Sequence, residues 1–111
     1  MGELDNKVLE IIEIARTSGK IKKGANEVTK AIEKGIAKLV ITAENVAPPE
    51  IVMHLPLLSK EKDVPFVKIA TKEDLGTACG LEVPTTAVVV IEVGESRDLI
   101  QSLIVELTKK E

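Results

Sequence analysis

Apolar residues recur at helical spacing at the start of the chain. Leu4, Val8, Ile11, Ile12 and Ala15 share one face and predict an amphipathic helix over 3–17, which Ser18-Gly19 ends. Lys20-Ile21-Lys22-Lys23 sets one apolar residue among lysines and reads as a brief edge strand. Gly24 permits a tight turn, and Asn26 or a neighbour is expected to cap the helix that follows. On a wheel with Asn26 at 0°, Lys30, Lys34 and Glu27 fall at about 40°, 80° and 100°. Val28, Ala31 and Ile32 fall at about 200°, 140° and 240°, so the two faces separate, and Gly35 ends the helix. Lys38–Ala43 is a short apolar run and predicts a buried strand. Pro48-Pro49 opens a helix over 50–62 that Pro56 must kink or divide. Val64–Ile69 reads as a strand with Pro65 at its start. Thr71 caps a helix through Ala78 with Glu73 and Asp74 in its first turn, Gly80 stops it, and Leu81–Pro84 is a loop. Thr86–Ile91 is a β-branched run and the last strand. Ser96 is expected to cap a final helix bearing Leu99, Ile100, Leu103, Ile104 and Leu107.

Helices and strands therefore alternate along the whole length. This predicts an α/β fold, a three-layer αβα sandwich around a four-stranded mixed sheet, in a single domain over 1–111. The 111 residues suffice for one core but not two. No stretch approaches the roughly 20 apolar residues of a membrane span, and the acidic start has no signal-peptide pattern, so the expectation is a cytoplasmic protein.

Composition narrows the function classes. A single Phe with no Tyr or Trp argues against a platform that stacks several bases. One cysteine excludes an internal disulfide and a cysteine zinc site, and one histidine excludes a multi-histidine metal centre. The net charge is −3, but it is unevenly spread. Residues 20–38 carry six lysines against Glu27 and Glu33, while the segments on either side are acidic. Such a cationic segment steers an anion to one face.

An enzyme built on these residues has few options. Cys79 stands among small residues at a helix end, where a depressed thiol pKa is not favoured, and reads as a packing residue. His54, beside Met53 and Leu55, reads as structural. No phosphate-loop pattern and no paired-carboxylate site occurs. The Lys22–Lys34 segment is different. A helix N-terminus presents free N–H groups that suit phosphate, and Lys22, Lys23, Lys30 and Lys34 surround it. Asn26 both donates and accepts, whereas Glu27 only accepts when ionised. A carboxylate in a cationic patch calls for a specific donor such as a base amine, so the mixture points to base reading as well as backbone attraction. The plainer alternative is a solvated helix face. The Leu81-Glu82-Val83-Pro84 loop either packs inward or offers aliphatic surface to an unstacked base.

The run Lys22-Lys23-Gly24-Ala25-Asn26-Glu27-Val28-Thr29-Lys30-Ala31-Ile32-Glu33-Lys34-Gly35 strongly resembles the signature of the L7Ae family of archaeal ribosomal proteins. So do Ala47-Pro48-Pro49-Glu50-Ile51, His54-Leu55-Pro56-Leu57-Leu58, Leu75-Gly76 and Cys79-Gly80, in order from about residue 5 onward. The resemblance implies an αβα sandwich that binds kink-turns, the sharply bent RNA helices built on tandem sheared G·A pairs. It implies service in the large ribosomal subunit, in box C/D and box H/ACA guide ribonucleoproteins and in ribonuclease P. The implied partners are those RNAs and the core proteins that join the bent RNA, with no cofactor, no metal and no catalysis. Carried over by position, Gly24, Asn26, Glu27 and Lys30 match the residues at the G·A pairs, with Lys23 beside them. Lys34 stands where the family usually has Arg, keeping the charge but losing the planar fork. Ile51 and Lys72 match positions near the looped-out nucleotides, and Leu81, Glu82, Val83 and Pro84 match the loop over the bulge. Ala47 departs, because most relatives place an acid there, and Thr85-Thr86 is more polar than in some relatives. A protein-interaction or regulatory module on the same fold, with weak or no RNA binding, is the alternative.

Overall fold

The computed structural model describes residues 3–46, 52–68 and 71–109. The valine-rich run Ala87–Glu92 forms β4, an inner strand of a four-stranded sheet. It pairs antiparallel with β1 (Lys20–Lys23) on one side and with β2 (Leu39–Thr42) on the other. β2 in turn pairs parallel with β3 (Phe66–Lys68), which gives a mixed sheet in the order β1-β4-β2-β3. Both inner strands are buried along their apolar runs, as strands covered on two faces must be.

Strand alternation divides the interior in two. Leu39, Ile41, Val88 and Val90 pack with Val8, Ile11, Ile12, Leu75 and Leu103. That layer comprises α1 (Glu3–Ser18), α4 (Lys72–Ala78) and α5 (Arg97–Lys109). Val40, Ala87 and Val89 face the other way, onto Val28, Ala31, Ile32 and Leu55 of α2 (Ala25–Glu33) and α3 (Leu55–Glu61). The sandwich and its mixed sheet are thus as the alternation of elements predicted. Lys7 of α1 forms an ion pair with Glu106 of α5 and joins the outer helices. Among the described residues no helix is long and apolar enough to cross a membrane.

Several local expectations change. Asn26 does not cap α2: Gly24 occupies the cap position, and no side chain bonds there. The third helix starts only at Leu55, after turns at Val52–His54, so Pro56 falls in its first turn and neither kinks nor divides it. Residues 47–51, including Ala47, Pro48, Pro49 and Ile51, lie outside the described residues. β3 is shorter than Val64–Ile69, and its expected end at Ile69 is also outside them. Ser96 does not cap α5; it sits buried in a 3-10 turn over Gly94–Ser96 and donates to the Val93 carbonyl. Thr71 caps α4 as its sequence required, accepting from the Asp74 amide at 3.1 Å.

Candidate nucleic-acid interface

The antiparallel and parallel pairings bring the ends of β1, β2 and β3 and the start of β4 to one end of the sheet. The chain is stitched together there. The Gly24 amide donates to the Ala87 carbonyl at 2.9 Å, and the Ala43 amide donates to the Thr86 carbonyl at 3.0 Å. The Thr85 amide donates to the Lys72 carbonyl, also at 3.0 Å. Three separate segments thus meet at this end: the start of α2, the start of α4 and the loop before β4.

At the start of α2, Gly24 has φ 95° and ψ 147°, a region that favours glycine alone. Nothing lies within 4 Å of where a Cβ would stand, so backbone conformation rather than space calls for glycine. Its carbonyl accepts from the Val28 amide at 3.0 Å and begins the helix. With no side-chain cap, the first-turn N–H groups face outward as a site of partial positive charge. Asn26, Glu27, Lys30 and Lys34 are all exposed, while Val28, Ala31 and Ile32 are buried as the wheel required. Lys22, Glu27, Lys30 and Lys34 line one shallow depression floored by Ala31, Ile36 and Ile91. None of these charged side chains pairs with another described residue, although Glu27 stands among three lysines.

The adjacent lysines Lys22 and Lys23 of β1 part company. Val88 and Val90 belong to the α1 layer and Val89 to the α2 layer. Lys22 pairs with Val89 and Lys23 with Val88, so only Lys22 shares the face of α2. Lys23 faces α1 and α4 and does not join the depression.

The loop is held by α4. A methyl group on Gly76 would stand 2.2 Å from the Val83 carbonyl, so the loop backbone rests directly on the helix. The Leu81 amide donates to the Gly76 carbonyl at 2.9 Å. Leu81 turns partly inward against the α1-layer core, while Glu82, Val83 and Pro84 are exposed, Val83 at 62%. Both sequence alternatives for this loop are therefore realised, at different residues. Lys72, half-buried at the start of α4, is fixed by a residue that sequence reading passed over. Asn45 Oδ1 accepts from the Lys72 amide at 2.8 Å, and its Nδ2 donates to Glu73 Oε1 at 3.1 Å. That bond from Asn45 holds the Glu73 carboxyl below its ordinary pKa. An Asn just past a buried strand was the available signal, since such residues bind exposed backbone groups.

Cys79 and His54 lie on opposite faces of the sheet. Burial pushes the Cys79 thiol up to about 11 against the opposing charges of Lys23 and Arg16, so it is un-ionised near neutrality. His54 Nε2 meets Thr29 Oγ1 at 2.7 Å and ties α3 to α2. Because the Thr29 hydroxyl donates to the Ala25 carbonyl, His54 must be the donor in this pair. Among the described residues no group of three or more His, Cys, Asp or Glu side chains forms a metal site.

Comparison with known proteins gives the same picture. Residues 6–100 match the family model described as "Ribosomal protein L7Ae/L30e/S12e/Gadd45 family". Among solved structures, the Giardia lamblia 15.5kD RNA binding protein superimposes with a TM-score of 0.92 at 34% sequence identity. The alignment covers 98% of this chain and 91% of that one. The matched span includes the glycine-started helix, the Asn45 clamp and the loop on Gly76, and the chain belongs to the L7Ae/L30e/S12e/Gadd45 family.

Proposed function

We propose that this protein is a non-catalytic RNA-binding protein that recognises kink-turns and holds them in the bent form. The observation that carries the reading is the unpartnered set at the start of α2. Open helix N–H groups, an exposed amide on Asn26 and an exposed carboxylate on Glu27 stand together with Lys22, Lys30 and Lys34. Ordinary A-form RNA hides its base edges in a deep groove that side chains do not read. Tandem sheared G·A pairs open that groove, and there Asn26 and Glu27 take base donors and acceptors while the lysines take phosphates. Val83 and Pro84, presented on Gly76, supply aliphatic cover for an unstacked nucleotide, with Lys72 beside it. Ile51 is assigned to the same cover by family position.

A protein that binds only the bent RNA shifts the folding equilibrium by its differential affinity for the two forms. Its service is structural: a bent RNA on which further ribonucleoprotein proteins assemble. By family resemblance its cellular RNAs are ribosomal RNA, box C/D and H/ACA guide RNAs and ribonuclease P RNA in an archaeal cytoplasm. Residues 1–111 then act as one kink-turn-binding domain without a cofactor.

The test is a titration against a kink-turn hairpin at fixed salt without magnesium, beside the same hairpin with Watson–Crick pairs replacing the G·A pairs. At least tenfold weaker binding to the second is expected. Glu27→Ala is expected to abolish this preference while leaving the melting temperature unchanged, since the side chain is exposed and unpartnered. Equal binding of both hairpins by the wild type would reduce the surface to a patch of charge.

A further inference from the structure

The side of the sheet edge that Lys23 takes carries a second unpartnered cation. Arg16, in the last turn of α1, is exposed and has no hydrogen bond or ion pair with a described residue. Its guanidinium lies over the backbone of Gly80: a methyl group on that glycine would stand 2.7 Å from Arg16 Nη1 and 3.1 Å from Cζ. Gly80, with φ 77°, ends α4 and leads straight into Leu81–Pro84. Arg16 therefore stands at the root of the loop already assigned to the RNA. Lys23 lies on the same side of the sheet, because its cross-strand partner Val88 belongs to the core layer that also holds Cys79, the residue before Gly80.

Free cations thus lie on both sides of one edge strand. Lys22, Lys30 and Lys34 face the α2 side; Lys23 and Arg16 face the α1 side. A single duplex laid on the α2 face meets only the first set. A sharply bent RNA has two stems leaving one bend, and a surface wrapped around an edge meets both. We propose that Arg16 and Lys23 form a second phosphate-contacting surface, for the RNA stem opposite the one held by Lys22, Lys30 and Lys34. This rests on the kink-turn reading. Arginine suits the task, because its planar fork binds phosphate oxygens in pairs. The competing account is local: a cation at the C-terminal ends of α1 and α4 stabilises both helices through their dipoles. That role affects stability and leaves the salt dependence of RNA binding untouched.

The experiment measures kink-turn affinity against salt concentration for the wild type, Arg16→Gln, Arg16→Lys and Lys60→Gln, with melting temperatures for each. Lys60, exposed on α3, is the control cation. Wild type and Lys60→Gln are expected to share one slope of log affinity on log salt. Arg16→Gln is expected to be shallower by roughly 0.7–0.9, the loss of one phosphate contact. Arg16→Lys is expected to restore most of the slope, and the weakening is expected to be alike for stems of different sequence. Equal slopes for wild type and Arg16→Gln overturn the inference and leave the kink-turn reading standing, even if the variant melts lower. Failure of the wild type to prefer the kink-turn over its Watson–Crick control overturns both.

Discussion

Cys79 is 3% exposed, and moving its thiolate out of water pushes the pKa from 9.0 to about 11. A folded-state pKa raised in this way gives stability that is fully present below the unfolded value and is lost as pH rises through the folded one. The window therefore runs from about pH 9 to about pH 11, and a shift of that size corresponds to roughly 2–3 kcal/mol. Unfolding free energies of wild type and Cys79→Ser are expected to converge by that order across the window. Parallel curves would mean that the thiol titrates as an exposed one. RNA binding near neutrality is expected to be the same in both. The sequence already marked Cys79 as packing, since its neighbours are small and it closes a helix. It did not mark Asn45, whose two bonds to Lys72 and Glu73 span 27 and 28 residues of chain. Such a partner depends on two loops meeting, and local pattern holds no record of it.

Gly76 belongs to the element scale. Inside an ordinary exposed helix, glycine to alanine stabilises by about 0.5–1 kcal/mol. Here the new methyl meets the Val83 carbonyl at 2.2 Å, so α4 and the loop must separate. Gly76→Ala is expected to lower the urea midpoint and to weaken kink-turn binding through the displaced Val83-Pro84 surface. A rise in the midpoint would show that the loop is not seated on the helix. The helical character of α2 was legible in the sequence, because its apolar and charged residues separate at the helical period. Its cap was not. The pattern left it between Asn26 and a neighbour, but glycine tolerates φ 95°, and Gly24 takes the cap position while Asn26 faces solvent. Which face Lys22 and Lys23 each take was also hidden. Which face a strand residue takes is set by its partner strand, and a four-residue strand with one apolar position specifies register weakly.

At the scale of the molecule, β2 and β4 belong to both halves of the core, so the two helical layers share their central support. Ile41 is fully buried, and Ile41→Ala is expected to lower the unfolding free energy by about 2–5 kcal/mol. Because the sheet is common to both layers, circular dichroism and calorimetry are expected to report a single coincident transition in wild type and variant. A loss below about 1 kcal/mol, or two separated transitions, would contradict a shared core. The cationic surface also belongs to this scale. It wraps one edge strand of a protein whose net charge is −3, so anions are steered to that edge and away from the rest.

The sequence by itself determined the element order, the two-faced burial of the inner strands and the charge pattern of α2. Each of these follows from local periodicity and from the chemistry of the side chains. Only the tertiary structure decided that Gly24, Asn45, Lys72 and the Leu81–Pro84 loop meet at one end of the sheet, and that Arg16 reaches the root of that loop. Strand direction, register and the close approach of α4 to its loop fix those meetings. They are long-range choices, made by the packing of both layers against one sheet rather than by any segment alone.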